Sequence, residues 1–539
     1  MPIPDCTAPA NSIAPVWKMA FNLDVIPANG AKIVKIGKNQ IAVFLRDGLV
    51  YACNNRCPHE GFPLKEGTLS DACTLTCNWH NWKFDLKTGE NLYGGDSLRV
   101  FPVSIHDDVI WIDVSSPSPD VLIADALTNL RESFDRHEYD RMARELARMD
   151  KAGGDPLDAL RSTIAWTHEH FEFGMGSTHA FAAAADWLSL RDRHRGGGAR
   201  DLMPIHESIA YFAWDSQREP AFPYPTKVRP WNERRFAHAI EDEDEAKAIA
   251  LVRGALTEGL TWLELEHTFA KAALRHYLDF GHAAIYVAKT GELIEQLGRE
   301  VMEPVLLALT RGLCRAFRED LIPEFRDYSA CRANWGSTAN TCPDVNDFES
   351  LGADRAMALA ASSQQSPEEL FHVLFEVSCR SFLRYDLDCQ NRVDSPVSHN
   401  RTWLSFTHEI TFANAVRQLA TRHPELWPDA LLQMCCFFGR NSTFLDRTVD
   451  MEDWRVDEPM QFLNDTFDGL YDHGRTEFIV AAHLIKTVTA ISNEVSNAPD
   501  APWVPTLLAA LNRFLHSPLK RRYPLRAVTQ AMSVVALED

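Results

Sequence analysis

Cations are the scarcer charge in this sequence: 54 Lys and Arg stand against 75 Asp and Glu, leaving 539 residues with a net charge of −21. A chain this acidic lacks the electrostatic footprint of a protein whose main partner is nucleic acid or an anionic membrane, and it suits docking to a basic redox partner. Long apolar runs are missing as well, with none approaching the roughly 18–20 residues that a membrane helix needs. The start, Met1-Pro2-Ile3-Pro4-Asp5-Cys6, has neither the basic nor the apolar region of a signal peptide. A soluble cytoplasmic protein is expected. Twelve cysteines in a chain of this length exclude a disulfide scaffold.

What is present divides the chain. Ala31–Ile36, Gln40–Leu45, Leu49–Ala52 and Val109–Val114 are β-branched or alternating, with Gly, Asn and Asp between them. Arg46-Asp47-Gly48 carries the Asp-Gly hairpin signal. Ser115-Ser116-Pro117-Ser118-Pro119-Asp120 then reads as a Pro/Ser linker. Beyond it apolar residues recur at helical spacing, as in Leu122, Ala126, Leu127 and Leu130, and β-rich stretches are absent. The expected architecture is multidomain: a small all-β domain at 1–115, a linker at 116–120 and a large all-α region at 121–539. Gly196–Gly198, Pro220–Pro230 and Ser329–Asp347 read as loops, and the acidic run Glu241–Glu245 as a solvated helix start.

Four of the cysteines, Cys53, Cys57, Cys73 and Cys77, fall close together in the β region, which points to metal before disulfide. Cys57-Pro58-His59 is followed by 17 residues and then Cys77-Asn78-Trp79-His80. In this spacing two thiolates can hold one iron and two imidazoles the other, with the neutral nitrogen donors raising the potential. A structural Cys2His2 zinc site uses the same ligand types. Against zinc stand the tight Cys-x-His spacing, the flanking strands and the turns supplied by Gly61, Gly67, Gly89, Gly94 and Gly95. With Cys57–Gly61, Cys77–Asp85 and Thr88-Gly89, the region resembles Rieske ferredoxins and the Rieske domains of ring-hydroxylating oxygenases over about 100 residues. The resemblance implies a [2Fe–2S] cluster on Cys57, His59, Cys77 and His80. Respiratory Rieske proteins place a disulfide in the ligand loops. Phe62 and Trp79 occupy those neighbourhoods here, and Cys53 and Cys73 read as buried thiols, so the centre looks like the lower-potential type that feeds an oxygenase.

A Rieske oxygenase normally has a second, mixed α+β domain with a D-x2-H iron motif, and residues beyond 120 contain no good match. They do contain seventeen of the twenty histidines. Four share one setting, an apolar helical stretch: His179, His282, His408 and His483. Four buried helices with one inward imidazole each can build a site in a bundle core, although a buried histidine is more often a hydrogen-bonded core residue. His168, His170, His267, His276, His399 and His473 compete. No well-placed pair of Glu-x-x-His motifs appears, which favours one metal over two. Lys289 lies seven residues after His282, on the same helix face, among apolar neighbours. A desolvated lysine can add CO2 to give a carbamate ligand; a snorkelling surface lysine is the plainer alternative. His408–Ala415, Leu511–Leu515 and Gly281-His282 with Lys289 are similar to the questin-oxidase-like proteins, a helical family that includes enzymes opening anthraquinone rings by oxidation. That resemblance implies a mononuclear non-heme iron held by histidines, with a modified lysine as a further ligand.

Imidazole ligands suit several metals; the attached one-electron carrier selects a redox-active one, and iron is the economical choice. The expectation is an oxygenase: a reductase or ferredoxin loads the cluster, the cluster passes electrons to iron in the helical region, and O2 oxidises a small organic, plausibly aromatic, substrate in an apolar pocket. The rival is a Rieske electron carrier joined to a non-catalytic helical interaction domain. Oligomeric state stays open.

Overall fold

The computed structural model describes residues 14–171, 178–194, 196–218, 220–337, 340–517 and 523–538. The chain separates into two compact units, one running to Ala159 and one from Leu160 onward.

The first unit is built on three small antiparallel sheets. One has the order β1 (Trp17–Asn22), β11 (Val109–Asp113), β10 (Val103–His106). The second runs β2 (Ala31–Ile36), β3 (Asn39–Arg46), β4 (Leu49–Asn54), β9 (Val100–Phe101). The third runs β5 (Thr68–Leu69), β6 (Thr74–Thr76), β7 (Lys83–Asp85), β8 (Asn91–Tyr93). The β3–β4 hairpin turns at Asp47 and Gly48, both at positive φ, which matches the right-handed twist of the strands it joins.

Strand β3 explains the unbroken apolar run Ile41-Ala42-Val43-Phe44. Alternate residues face opposite sides of a strand, and here both sides are buried. Ile41 and Val43 join Ile26, Ala52, Phe101, Ile110 and Ile112 in one core. Ala42 and Phe44 join Cys57, Leu64, Leu75, Cys77 and Phe84 in another, so a single strand ties the sheet core to the cysteines.

Two helices complete this unit, α1 (Pro119–Asp135) and α2 (Tyr139–Lys151). They bury Ala126, Leu130 and Phe134 on α1 and Met142, Leu146 and Met149 on α2. The strands end at Asp113 and the helices begin at Pro119, within or beside the expected 116–120 linker. The compact unit nevertheless continues to Ala159.

The second unit is helical throughout its described residues, with only isolated β-bridges. Four helices, His179–Arg193, His282–Leu297, Trp403–Arg422 and Phe478–Asn497, pack in a closed ring, each against the next. Two expectations need correction. Ser329–Asp347 is not simply a loop, since it overlaps helices Tyr328–Ala333 and Val345–Phe348, the latter capped by the Asp344 carboxylate. Among the described residues one helix, Phe478–Asn497, is long and apolar enough to cross a membrane, with 72% of its most apolar window buried in this fold. Its apolarity follows from being a ring member with little solvent-facing surface.

A chain stopped at residue 115 loses α1 and α2 and opens the contacts they make with the β layer. We expect its cluster-loaded form to melt at a lower temperature than a chain stopped at Ala159, measured by circular dichroism. Equal melting temperatures would show that the strands form the whole folding unit.

Candidate metal centres

Two loops of nearly identical backbone present the first set of donors. In one, the Cys57 N–H donates to Phe62 O at 2.9 Å and Gly61 N–H to Cys57 O at 2.8 Å. In the other, the Cys77 N–H donates to Trp82 O at 2.8 Å and Asn81 N–H to Cys77 O at 2.9 Å. Each loop turns on one left-handed residue, Gly61 at φ 76° and Asn81 at φ 62°, and these are residue types that adopt that conformation readily. Cys57 and Cys77 are buried, while the His59 and His80 side chains remain 27% and 40% exposed. The two imidazoles lie edge to face, with ring centroids 4.7 Å apart. Burial pushes the Cys57 thiol up to about 11, so at neutral pH it needs a bound cation to become a thiolate ligand. Phe62 and Trp79, at the positions where a loop disulfide would sit, pack with ring centroids 5.9 Å apart. Cys53 and Cys73 are buried free thiols, as expected.

Residues 16–96 match the family model for the Rieske [2Fe-2S] domain. The 3-phenylpropionate/cinnamic acid dioxygenase ferredoxin subunit of Photorhabdus laumondii is 36% identical over 95 residues, 17% of this chain and 90% of that protein. This chain belongs to the Rieske [2Fe–2S] family. The ferredoxin subunit of the same name from Escherichia coli K12 is 38% identical over 81 residues, 15% of this chain and 76% of that one. Among solved structures, the ferredoxin of carbazole 1,9a-dioxygenase from Nocardioides aromaticivorans is 22% identical, with a TM-score of 0.18, covering 19% of this chain and 98% of that chain. The Rieske domain implies a [2Fe–2S] cluster, and two buried thiols beside two half-exposed imidazoles are a donor set that fits one.

The helical unit brings together the four histidines singled out from the sequence. Their ligand atoms all lie within 4.8 Å of one another, and all four residues are buried. His282 Nε2 is 3.0 Å from His179 Nε2 and 3.0 Å from His408 Nε2. His179 and His282 are the first residues of their helices, not interior ones as expected, whereas His408 and His483 stand inside theirs. Residues 172–177, which include Gly176 and Ser177 of the His179 setting, lie outside the described residues.

Three of the rings are fixed by backbone acceptors. Nδ1 of His282 donates to Asp279 O at 2.6 Å, that of His408 to Leu404 O at 2.5 Å and that of His483 to Ile479 O at 2.6 Å. A carbonyl oxygen only accepts, so each Nδ1 carries the proton and each Nε2 of the neutral ring presents a bare lone pair. This arrangement is the one that orients a metal-binding imidazole. His483 Nε2 is buried with no hydrogen-bond partner. Burial holds His282 and His483 well below the ordinary 6.5 and brings His408 down to about 3, with the Lys486 charge adding to it in each ring.

His282 enters on a strained backbone. Asp279, Phe280 and Gly281 all have positive φ, at 52°, 53° and 78°. A Cβ at Gly281 would lie 2.6 Å from Phe437 and 2.8 Å from Phe412, so glycine is required by both space and conformation. Phe280 packs edge-on to His408 and Phe437, and Phe412 lies tilted against Phe437, giving one side of the centre an aromatic wall.

The other histidines are elsewhere. His276 sits between Glu241 and Asp320, His267 faces Glu233 and Glu425, and His473 pairs with Glu207.

Lys289 does not join the centre, and its expected role as a carbamate ligand is corrected. Its Nζ donates to Asp186 at 2.8 Å and to Glu292 at 2.7 Å. Burial alone would favour the neutral amine, but the two carboxylates win and hold it protonated, the form that cannot attack CO2. Seven residues also place it about 10 Å along the axis from His282. The lysine that sequence reasoning missed is Lys486, one turn after His483. It is buried, its Nζ has no hydrogen-bond partner, and burial lowers it to about 8. The i, i+3 spacing from His483 was the available signal.

These shifts have a pH consequence. The unfolded chain titrates the imidazoles near 6.5, whereas the folded rings stay neutral below that. The unfolded state therefore binds more protons in that range. The imidazole contribution to stability of the metal-free helical unit is expected to be full above pH 6.5 and to fall as pH drops toward 3, the His408 value. Urea unfolding across that range would show the slope, and His408→Asn should make it shallower.

Proposed function

We propose that this protein is an iron-dependent oxygenase. Cys57, His59, Cys77 and His80 hold the [2Fe–2S] cluster, and His179, His282, His408 and His483 hold one non-heme iron that receives electrons from it. The observation that carries this reading is the 3.0 Å approach of the His282 and His408 Nε2 atoms. Both rings already donate from Nδ1 to backbone carbonyls, so two lone pairs face each other, and a cation between them turns repulsion into ligation.

Iron, when bound, supplies one-electron chemistry and a position for O2. The chain's own residues do the rest. The backbone acceptors fix the ring orientations, the buried ring of helices excludes water, and Phe280, Phe412 and Phe437 offer an apolar face to an aromatic substrate. In place of Lys289, to which the questin-oxidase-like resemblance attached the modified lysine, Lys486 takes that part. Its neutral amine adds to the carbon of CO2 and releases one proton, and the resulting carboxylate completes the donor set. A reductase or ferredoxin is the electron donor, in keeping with the dioxygenase systems of its Rieske relatives. Among the described residues, the one helix apolar enough to cross a membrane carries His483 and Lys486, which this reading uses as core groups of the centre.

Metal analysis tests this directly. Wild type should hold a third iron beyond the cluster pair. His179→Ala, His282→Ala, His408→Ala and His483→Ala should each lose that iron while keeping the rhombic electron paramagnetic resonance signal of the reduced cluster. Lys486→Ala should lower the third iron's occupancy and abolish the carbamate carbon resonance seen after 13C-bicarbonate labelling. Two irons in wild type would instead make the protein an electron carrier with a non-catalytic helical partner.

A further inference from the structure

The Rieske unit contains a set of contacts that its ligand loops do not require. Trp82, five residues after Cys77 and two after His80, stacks on His59 with ring centroids 4.5 Å apart and planes 13° from parallel. The indole is held against the backbone of Gly94 and Gly95. A Cβ at Gly94, where φ is 135°, would lie 2.5 Å from Trp82 Cδ2, and one at Gly95 would lie 3.3 Å from Trp82 Cη2 and from Arg141 Cδ. No side chain fits at Gly94 without moving the indole, so the position of this loop fixes the position of the indole.

The loop is in turn fastened to α2. The Asn91 side-chain amide donates to Asp96 O at 2.9 Å, closing the loop on itself. The Asp96 carboxylate is 2% exposed and meets three guanidinium groups of one helix: Arg141 at 3.1 Å, Arg144 at 2.7 Å and Arg148 at 2.7 Å. Arg141, 4% exposed, also pairs with Glu132 of α1 and with Glu138. Asp96 is the last residue matched to the Rieske family model, and both helices lie beyond it.

We propose that Asp96 is a positioning residue through which helix α2 sets the reduction potential of the [2Fe–2S] cluster, by clamping Trp82 onto the ligand His59. A cluster held by two thiolates and two neutral imidazoles gains one negative charge when reduced. Water at the imidazole stabilises that more negative state, and an indole laid over the ring keeps water away. The clamp thus holds the potential low, which favours passing the electron onward. Loosening it raises the potential.

The inference rests on the cluster assignment, and the experiment separates the two. The full-length protein is loaded with its cluster, and the midpoint potential is read by a redox titration followed by electron paramagnetic resonance. Asp96→Asn weakens the hold of α2 on the loop. Gly94→Ala displaces Trp82 without changing any charge. Both should shift the potential upward, with the Ala variant serving if the Asn variant does not fold, and the reverse. Glu132→Gln changes the charge of the same network without touching the loop, and it should leave the potential where it was. A shift in Asp96→Asn and Glu132→Gln but not in Gly94→Ala would reduce the effect to charge alone and overturn the clamp. Unchanged potentials in both loop variants would overturn it as well. A wild-type protein with no rhombic signal would remove the cluster reading itself.

Discussion

Two unprotonated imidazole nitrogens repel each other at close range, and the helical unit holds such a pair, His282 and His408, at 3.0 Å in its buried core. Much of that unit's organisation follows from the contact. The rings stay neutral because burial makes their charged forms costly, and they stay pointed inward because backbone carbonyls of Asp279, Leu404 and Ile479 take their Nδ1 protons. Strain in the three residues before His282 is the local cost of aiming that ring. A closed ring of four helices supplies the rigidity against which the strain is held.

The Rieske unit solves a different problem. Its donors must be held firmly and yet let electrons in and out, so its thiols are buried while its imidazoles reach solvent. Rigidity there comes from two matched loops closed by their own backbone hydrogen bonds. A buried carboxylate, Asp96, binds the surrounding β structure to α2. Three guanidinium groups offset the desolvation of one carboxylate, and Arg144 and Arg148 hold it below the usual carboxylate range against the opposing effect of burial.

In the proposed function, an open cluster and a closed imidazole centre on one chain divide the labour of an oxygenase in physical terms. Electron exchange needs access and tolerates water. Handling O2 and an organic substrate needs exclusion of water and a fixed donor set. Lys289 and Lys486 show how finely environment assigns roles in the helical unit. Both are buried lysines on ring helices, and paired carboxylates keep the first as an ammonium while the second has no hydrogen-bond partner and is drawn toward the amine.

Local pattern carried far in this sequence. Strands 31–36 and 49–54, the Asp47-Gly48 turn, the change to helix after residue 113 and the C-x-H…C-x2-H donors are all short-range signals, set by side-chain alternation, turn chemistry and spacing. The four helical histidines were legible because each stands in an apolar stretch where an imidazole is out of place. The short strands β5 to β8 carried too few residues to show a period, and no pattern marked α1 and α2 as partners of the β layer. That membership depends on Asp96 meeting arginines 45 to 52 positions further on, and charge pairing over such a separation leaves no trace in local sequence. The choice between Lys289 and Lys486 was likewise made only by the tertiary fold. A lysine's protonation is decided by the carboxylates beside it, and although Glu292 is local to Lys289, Asp186 comes from 103 positions earlier in the chain.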